Sequence, residues 1–191
     1  MPNEQEKDRV EVAILGGGCF WCTEAVFLRL RGVTKVTSGY TGGTVENPTY
    51  RQICTGKTGH AEVVRIEFNP SEISFAQILD VFFHTHDPTT LNRQGADVGT
   101  QYRSAVFWAD KKQKEAAAAI IKELDEAGDF DFPIVTTLEQ LRTFYPAEDY
   151  HQNYFDENPS QGYCEVVISP KLSKFQKRYR KLLKEPATKA P

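Results

Sequence analysis

Apolar and polar positions along this chain follow two alternating periods, and the changes between them outline its elements. The apolar run Val10 to Leu15 reads as a strand, and Cys19 to Leu30 as a helix. A second strand is expected near Val33 to Tyr40, and "HAEVVRIEF", residues 60–68, alternates cleanly as a third. A helix starts near Ser74 in "SFAQILDVFFHTH", with Ser71 or Ser74 as its cap. "SAVFWA" is a further strand, and "DKKQKEAAAAIIKELDEAG" a helix capped by Asp110 and stopped by Gly128. Beyond it the pattern predicts a strand "IVTTL", a short helix "AEDYHQNYF", a strand "YCEVVI" and a last helix from Ser169 or Pro170. In that helix Leu172, Phe175, Tyr179 and Leu182 form a core-facing stripe. Its seven Lys/Arg between Lys171 and Lys184 read as a solvated face.

Two turn-rich stretches, "TGGTVENPTYRQICTGKTG" and "DPTTLNRQGADVGTQYR", are longer than connectors need to be, and loops of that length commonly carry function. No repeat or linker divides the chain. Strands and helices alternate around one core, which gives one α/β (α+β) domain over residues 10–184, with flexible ends at 1–9 and 185–191. At 191 residues the chain can bury a core unaided. No apolar run approaches the roughly 20 residues of a membrane helix, and "MPNEQEKDRVE" has neither signal- nor transit-peptide character. A net charge of −3 argues against nucleic acid as partner. Four cysteines in a chain of this size fit reduced thiols in the cytosol better than a disulfide scaffold.

The chemistry concentrates in "GGGCFWC", residues 16–22. A thiolate is the reactive form of cysteine, and Cys19 at a helix N-terminus has its anion favoured by unpaired N–H groups. The glycines let the backbone turn tightly there. Phe20 and Trp21 offer an apolar wall or, equally, core residues of the helix. Other readings fail on spacing. Trp21 stands where a dinucleotide fingerprint needs its third glycine, and Arg51 where a phosphate loop ending in "GKTG" needs its first. Cys19 and Cys22 form a C-x-x-C, but no second ligand pair completes a zinc site. In "HAEVVRIEF" the alternation puts Glu62 on the face of Val64, Ile66 and Phe68; burial would raise its pKa, which suits a proton donor.

"GGGCFWCTEAVF" resembles the signature of the A-type peptide methionine sulfoxide reductases, which act on the S epimer. "GYTGGTVENPTYRQICTGKTGHAEVV", "HDPTTLNRQGADVGTQYRSA", "FYPAEDYHQNYF" and "NPSQGYC" are similar to that family's other blocks, in the same order. The resemblance implies a mixed-sheet, two-layer sandwich related to the ferredoxin-like plan, with long wrapping loops. It implies Cys19 as nucleophile, Glu62 as general acid, and Phe20 and Trp21 as receivers of the sulfoxide methyl. Tyr50 and Tyr102 would hydrogen-bond the oxygen, and Asp97 would sit near the substrate amide. Cys19 would become a sulfenic acid, condense with a second thiol, and be restored by thioredoxin, in a monomeric, cytoplasmic enzyme with no metal or cofactor.

The chain departs from the family pattern in two places. Cys22 stands where many members have glycine, and no cysteine follows Cys164. Cys164 matches the family's resolving thiol. Cys22 is its rival, because residues i and i+3 share a helix face. Cys54 reads as a loop-packing residue, and His60 and His151 as hydrogen-bonding scaffold. A general thiol–disulfide oxidoreductase built on Cys19 and Cys22 is the alternative function, but it would have no use for Glu62, Tyr50 and Tyr102 together.

Overall fold

The computed structural model describes residues 9–185, and so the expected flexible ends fall, apart from Arg9 and Glu185, outside the described residues. Six strands form one mixed sheet in the order β7-β6-β1-β3-β2-β8. They are β1 (Glu11–Gly17), β2 (Val33–Thr41), β3 (Ala61–Phe68), β6 (Ser104–Trp108), β7 (Thr137–Gln140) and β8 (Tyr145–Pro146). A separate hairpin pairs β4 (Arg93–Gln94) with β5 (Asp97–Val98). The helices are α1 (Phe20–Phe27), α2 (Tyr50–Cys54), α3 (Phe75–Thr85), α4 (Lys111–Ala127), α5 (Tyr154–Glu157) and α6 (Ser169–Arg178).

Taken alone, β1, α1, β2, β3, α3 and β6 form a βαββαβ unit whose strands lie fourth-first-third-second, all antiparallel. That is the ferredoxin-like plan, and only the added β7 pairs in parallel, with β6. The period-two pattern of β3 explains its central place. Val64, Ile66 and Phe68 enter the main core with Phe27 of α1, Phe82 and Phe83 of α3, and Leu172 and Phe175 of α6. Ala61 and Val63 face the other way, into a smaller cluster with Ile14, Ala105 and Phe107 that Leu141 and Phe144 cover. Helices thus form the second layer on one face, and irregular chain wraps the other.

The boundaries of several elements differ from expectation. "YCEVVI" is no strand. It is a π-helical turn, Cys164–Ile168, running directly into α6. Cys164 and Ile168 are buried four residues apart while Val166 is exposed, a helical rather than a strand alternation that a short apolar run disguises. The strand expected at "IVTTL" begins later, at Thr137. "AEDYHQNYF" breaks into a 3₁₀ turn, Asp149–His151, and α5, because Asn153 takes a left-handed φ of 54° between them. Within the first long loop lies α2, whose capping box of Thr49 and Gln52 was present in the sequence as T-x-x-Q.

Candidate active site

The site is built on the turn between β1 and α1. Gly18 takes a left-handed φ of 91°, and a Cβ there would meet the Gln94 side chain at 2.6 Å. Glycine therefore permits both the turn and the close approach of the β4–β5 hairpin. Cys19 follows as the N-cap of α1 and is partly exposed. The Trp21 backbone N–H favours the anion of its sulfur, as a helix N-terminus should. That influence is outweighed. A hydrogen bond with the Cys22 thiol, burial, and the nearby Cys22 and Glu62 charges hold the Cys19 thiol well above its usual range. The same hydrogen bond, helped by the charge of Lys171 and by Tyr163, brings the Cys22 thiol down to about 7 against its burial. The resting charge of the pair therefore lies on Cys22, contrary to the expectation that the helix end would place it on Cys19.

Glu62 occupies the start of β3, opposite Tyr40 in β2, and is almost fully buried. One oxygen accepts the Phe20 backbone N–H at 3.1 Å. Burial pushes its carboxyl up to about 8, and the Asp97 and Cys22 charges add to this, so it is a neutral acid near pH 7. Tyr50 and Tyr102 stand in the electrostatic reach of Glu62. Burial, and then that charge, pushes both phenols far above their usual range, so they remain hydrogen-bond donors. Tyr50 is fixed by its own N–H donating to Glu148 Oε2 at 3.1 Å. Asp97 accepts the Tyr163 hydroxyl at 2.7 Å.

The two aromatics after Cys19 differ. Phe20 is buried, with Tyr40 and His151 around it, and so belongs to the core as well as to the site. Trp21 is half-buried. Its ring stacks on Tyr154 at 3.7 Å, meets Tyr163 edge-on, and donates from Nε1 to His151 Nδ1 at 3.0 Å. His151 is wholly buried, and burial lowers its pKa, which keeps it a neutral acceptor. His151 is thus hydrogen-bonding scaffold, as expected, and what it holds in place is the indole. Tyr154 and Tyr163 were missed; the aromatics of "HQNYF" and the tyrosine beside Cys164 were the only signals. His60 is scaffold as expected, with Nδ1 accepting from Gly43 N–H at 3.0 Å.

Cys164 is fully buried in the π-helical turn behind Cys22, and burial, then the Cys22 charge, raises its thiol. Cys54 is exposed at the end of α2, hydrogen-bonded with the Tyr50 side chain rather than packed in a loop. All four cysteines are free. Cys19, Cys22, Phe20, Trp21, Glu62, Tyr50, Asp97 and Tyr102 thus converge on one helix end, and Cys164 lies beneath it.

Residues 11–183 match the family model described as peptide methionine sulfoxide reductase. The chain belongs to the peptide methionine sulfoxide reductases, A type. The reductase MsrA of Acinetobacter baumannii (strain SDF) is 57% identical over 176 residues, 92% of this chain and 99% of that one. The reduced form of Mxr1 from Saccharomyces cerevisiae superposes with a TM-score of 0.75 at 35% identity, covering 82% of this chain and 90% of that one. Mxr1 in complex with Trx2 is similar at a TM-score of 0.53 and 26% identity, covering 76% of this chain and 85% of that one. Among the described residues no helix is long and apolar enough to cross a membrane.

Proposed function

We propose that this reductase returns methionine-S-sulfoxide, free and in proteins, to methionine, with thioredoxin as the final reductant. The observation that carries the reading is Glu62, a carboxylic acid kept neutral by burial beside the N-terminus of the helix that presents Cys19. A sulfoxide sulfur resists a thiol until its oxygen is protonated, and an acid of this kind is what the reaction requires. The Tyr50 and Tyr102 hydroxyls donate to the sulfoxide oxygen, Trp21 and Phe20 hold the methyl group, and Asp97 sits near the substrate amide. The proton on Cys19 crosses the hydrogen bond to Cys22 as the Cys19 sulfur attacks. The oxygen, protonated by Glu62, passes to Cys19, methionine leaves, and Cys19 is a sulfenic acid.

A second thiol, Cys164 or Cys22, then condenses with the sulfenic acid, and water is lost. The complex of Mxr1 with Trx2 supports thioredoxin as the reductant of that disulfide. Four free cysteines fit a reducing compartment, and the proposal is of a monomeric cytosolic repair enzyme acting under oxidative stress, without metal or cofactor.

One observation favours the alternative of general disulfide exchange: a C-x-x-C thiol at about 7 is the range of thioredoxin-type pairs. Glu62, Tyr50 and Tyr102 have no part in that chemistry. Assay of Glu62→Gln decides between the two: loss of sulfoxide reduction with disulfide exchange retained supports the reductase, and loss of neither removes Glu62 from the reaction.

A further inference from the structure

Behind the first turn of α1 is a small void whose walls are Gly17, Cys22, Thr23, Val26, Phe82, Thr85, His86 and Lys171. Cys22 and Lys171 therefore share an enclosed space, although they come from opposite ends of the chain. His86 is the other base in that space, and it is neutral. Burial brings it down to about 4, its Nδ1 donates to the Phe82 carbonyl at 2.5 Å, and its Nε2 accepts from the Ser104 hydroxyl at 2.7 Å. Lys171 makes no ion pair among the described residues. Within the void its charge meets the Cys22 thiol, and on its outer side Lys171 lines an open cleft with Asp87, Asp129 and Asp131.

The remaining walls of Cys22 point the same way. The Tyr163 hydroxyl lies 3.8 Å from its sulfur. Tyr163 is followed directly by Cys164, whose sulfur is buried in the same core cluster as Cys22 and responds to the Cys22 charge. Cys22 thus stands between Cys19, with which it shares a hydrogen bond, and Cys164.

We propose that Lys171, reaching in from the last helix, holds Cys22 as the thiolate that resolves the Cys19 sulfenic acid, and that the disulfide then passes to Cys164. The inference rests on the reductase reading above and names the order of its second half. Cys22 gives up the proton it took from Cys19, its thiolate sulfur bonds to Cys19 sulfur, the S–O bond of the sulfenic acid breaks, and the oxygen leaves as water with that proton and its own. The Cys164 thiol next attacks Cys22 as its proton passes to the leaving Cys19 sulfur, forming the Cys22–Cys164 bond and releasing Cys19 as thiol. Thioredoxin supplies the two electrons that reduce this last disulfide. Lys171 touches neither substrate nor the reacting oxygen; it is a positioning residue that acts through Cys22.

Rapid-quench mass spectrometry after one equivalent of methionine-S-sulfoxide tests the order. A Cys19–Cys22 disulfide is expected first and Cys22–Cys164 second; a Cys19–Cys164 disulfide appearing first overturns the proposal. A charge series at Lys171 tests the positioning. Returning a thiol from about 7 to its ordinary value leaves it ~16-fold less ionised near neutrality, but its thiolate ~5-fold more nucleophilic, a net slowing of about threefold. Lys171 supplies only part of the lowering, the Cys19 hydrogen bond being the larger cause, so disulfide formation should slow by at most about threefold in Lys171→Met, further in Lys171→Glu, and recover in Lys171→Arg. Methionine release slows as well, because the same Cys22 thiolate takes the proton of Cys19. It is the ordering of both steps by the sign of the charge at position 171 that a merely structural lysine would not produce. Equal rates across the series overturn the role of Lys171. If the wild type releases no methionine at all, it is the reductase reading that fails.

Discussion

On one side of the first turn of α1, Cys19 faces Glu62 and Tyr102; on the other, Cys22 faces Tyr163 and Lys171. The first side offers a sulfur only acids and an unpaired helix end, and there a negative charge is raised in energy. The second offers a cation and a hydroxyl, and there the charge settles. Two thiols three residues apart thereby differ in acidity in the direction opposite to helix-end reasoning alone. The lesson is that a helix dipole is a modest influence, easily overturned when a neighbouring thiol and carboxyl share its site.

The sharpest break of this contrast is Cys19→Ser, which should abolish sulfoxide reduction while leaving Cys22 ionised; turnover at any appreciable fraction of the wild-type rate contradicts the assignment of the nucleophile. Next in size is Glu62→Gln, which keeps the shape of the acid side and removes its proton. Loss of general acid catalysis commonly costs ~10²–10⁴-fold, measured here as methionine released per second in a single turnover. The acid form of Glu62 is the working form and its value is raised to about 8. Wild-type turnover should therefore fall as pH rises through 8, and separately as pH drops below about 7 and Cys22 takes up a proton; the variant should lose only the fall at high pH.

On the other side, Cys22→Ser should still release one equivalent of methionine but then resolve slowly through Cys164, with sulfenic acid trapped by a dimedone-type reagent. Cys164→Ser should instead accumulate a Cys19–Cys22 disulfide. If the two patterns are exchanged, Cys164 resolves first. The smallest effect is a control that touches neither side. Asp110 caps α4 by accepting the Gln113 N–H at 2.9 Å, and Asp110→Ala should cost about 1 kcal/mol of stability, read from urea unfolding, with the pH profile of turnover unchanged.

Glu62 was legible in the sequence because a period-two strand has only two faces, and a carboxyl on the apolar one is buried by geometry alone. Cys19 was legible because glycines before a helix start mark an exposed turn. The charge on Cys22 was not. It comes first from the Cys19 hydrogen bond and then from Lys171, which looked like one of several solvated lysines, because nothing in a local pattern says that the last helix docks behind the first. The hydrogen bond from Trp21 to His151 spans 130 residues of chain and leaves no periodic trace. "YCEVVI" misled for a related reason. β-branched residues in a short run fit a strand or a buried helical turn, and only the sheet's completed edges decide against the strand.

The central claim is that Cys19 and Glu62 together act on a sulfoxide held in one orientation by the aromatic wall and the tyrosines. Epimer-resolved single turnover tests it directly, with separate samples of methionine-S-sulfoxide and methionine-R-sulfoxide and the released methionine counted per enzyme. Stoichiometric release from the S epimer with essentially none from the R epimer is the predicted result. Comparable release from both, or release from neither, would contradict the account.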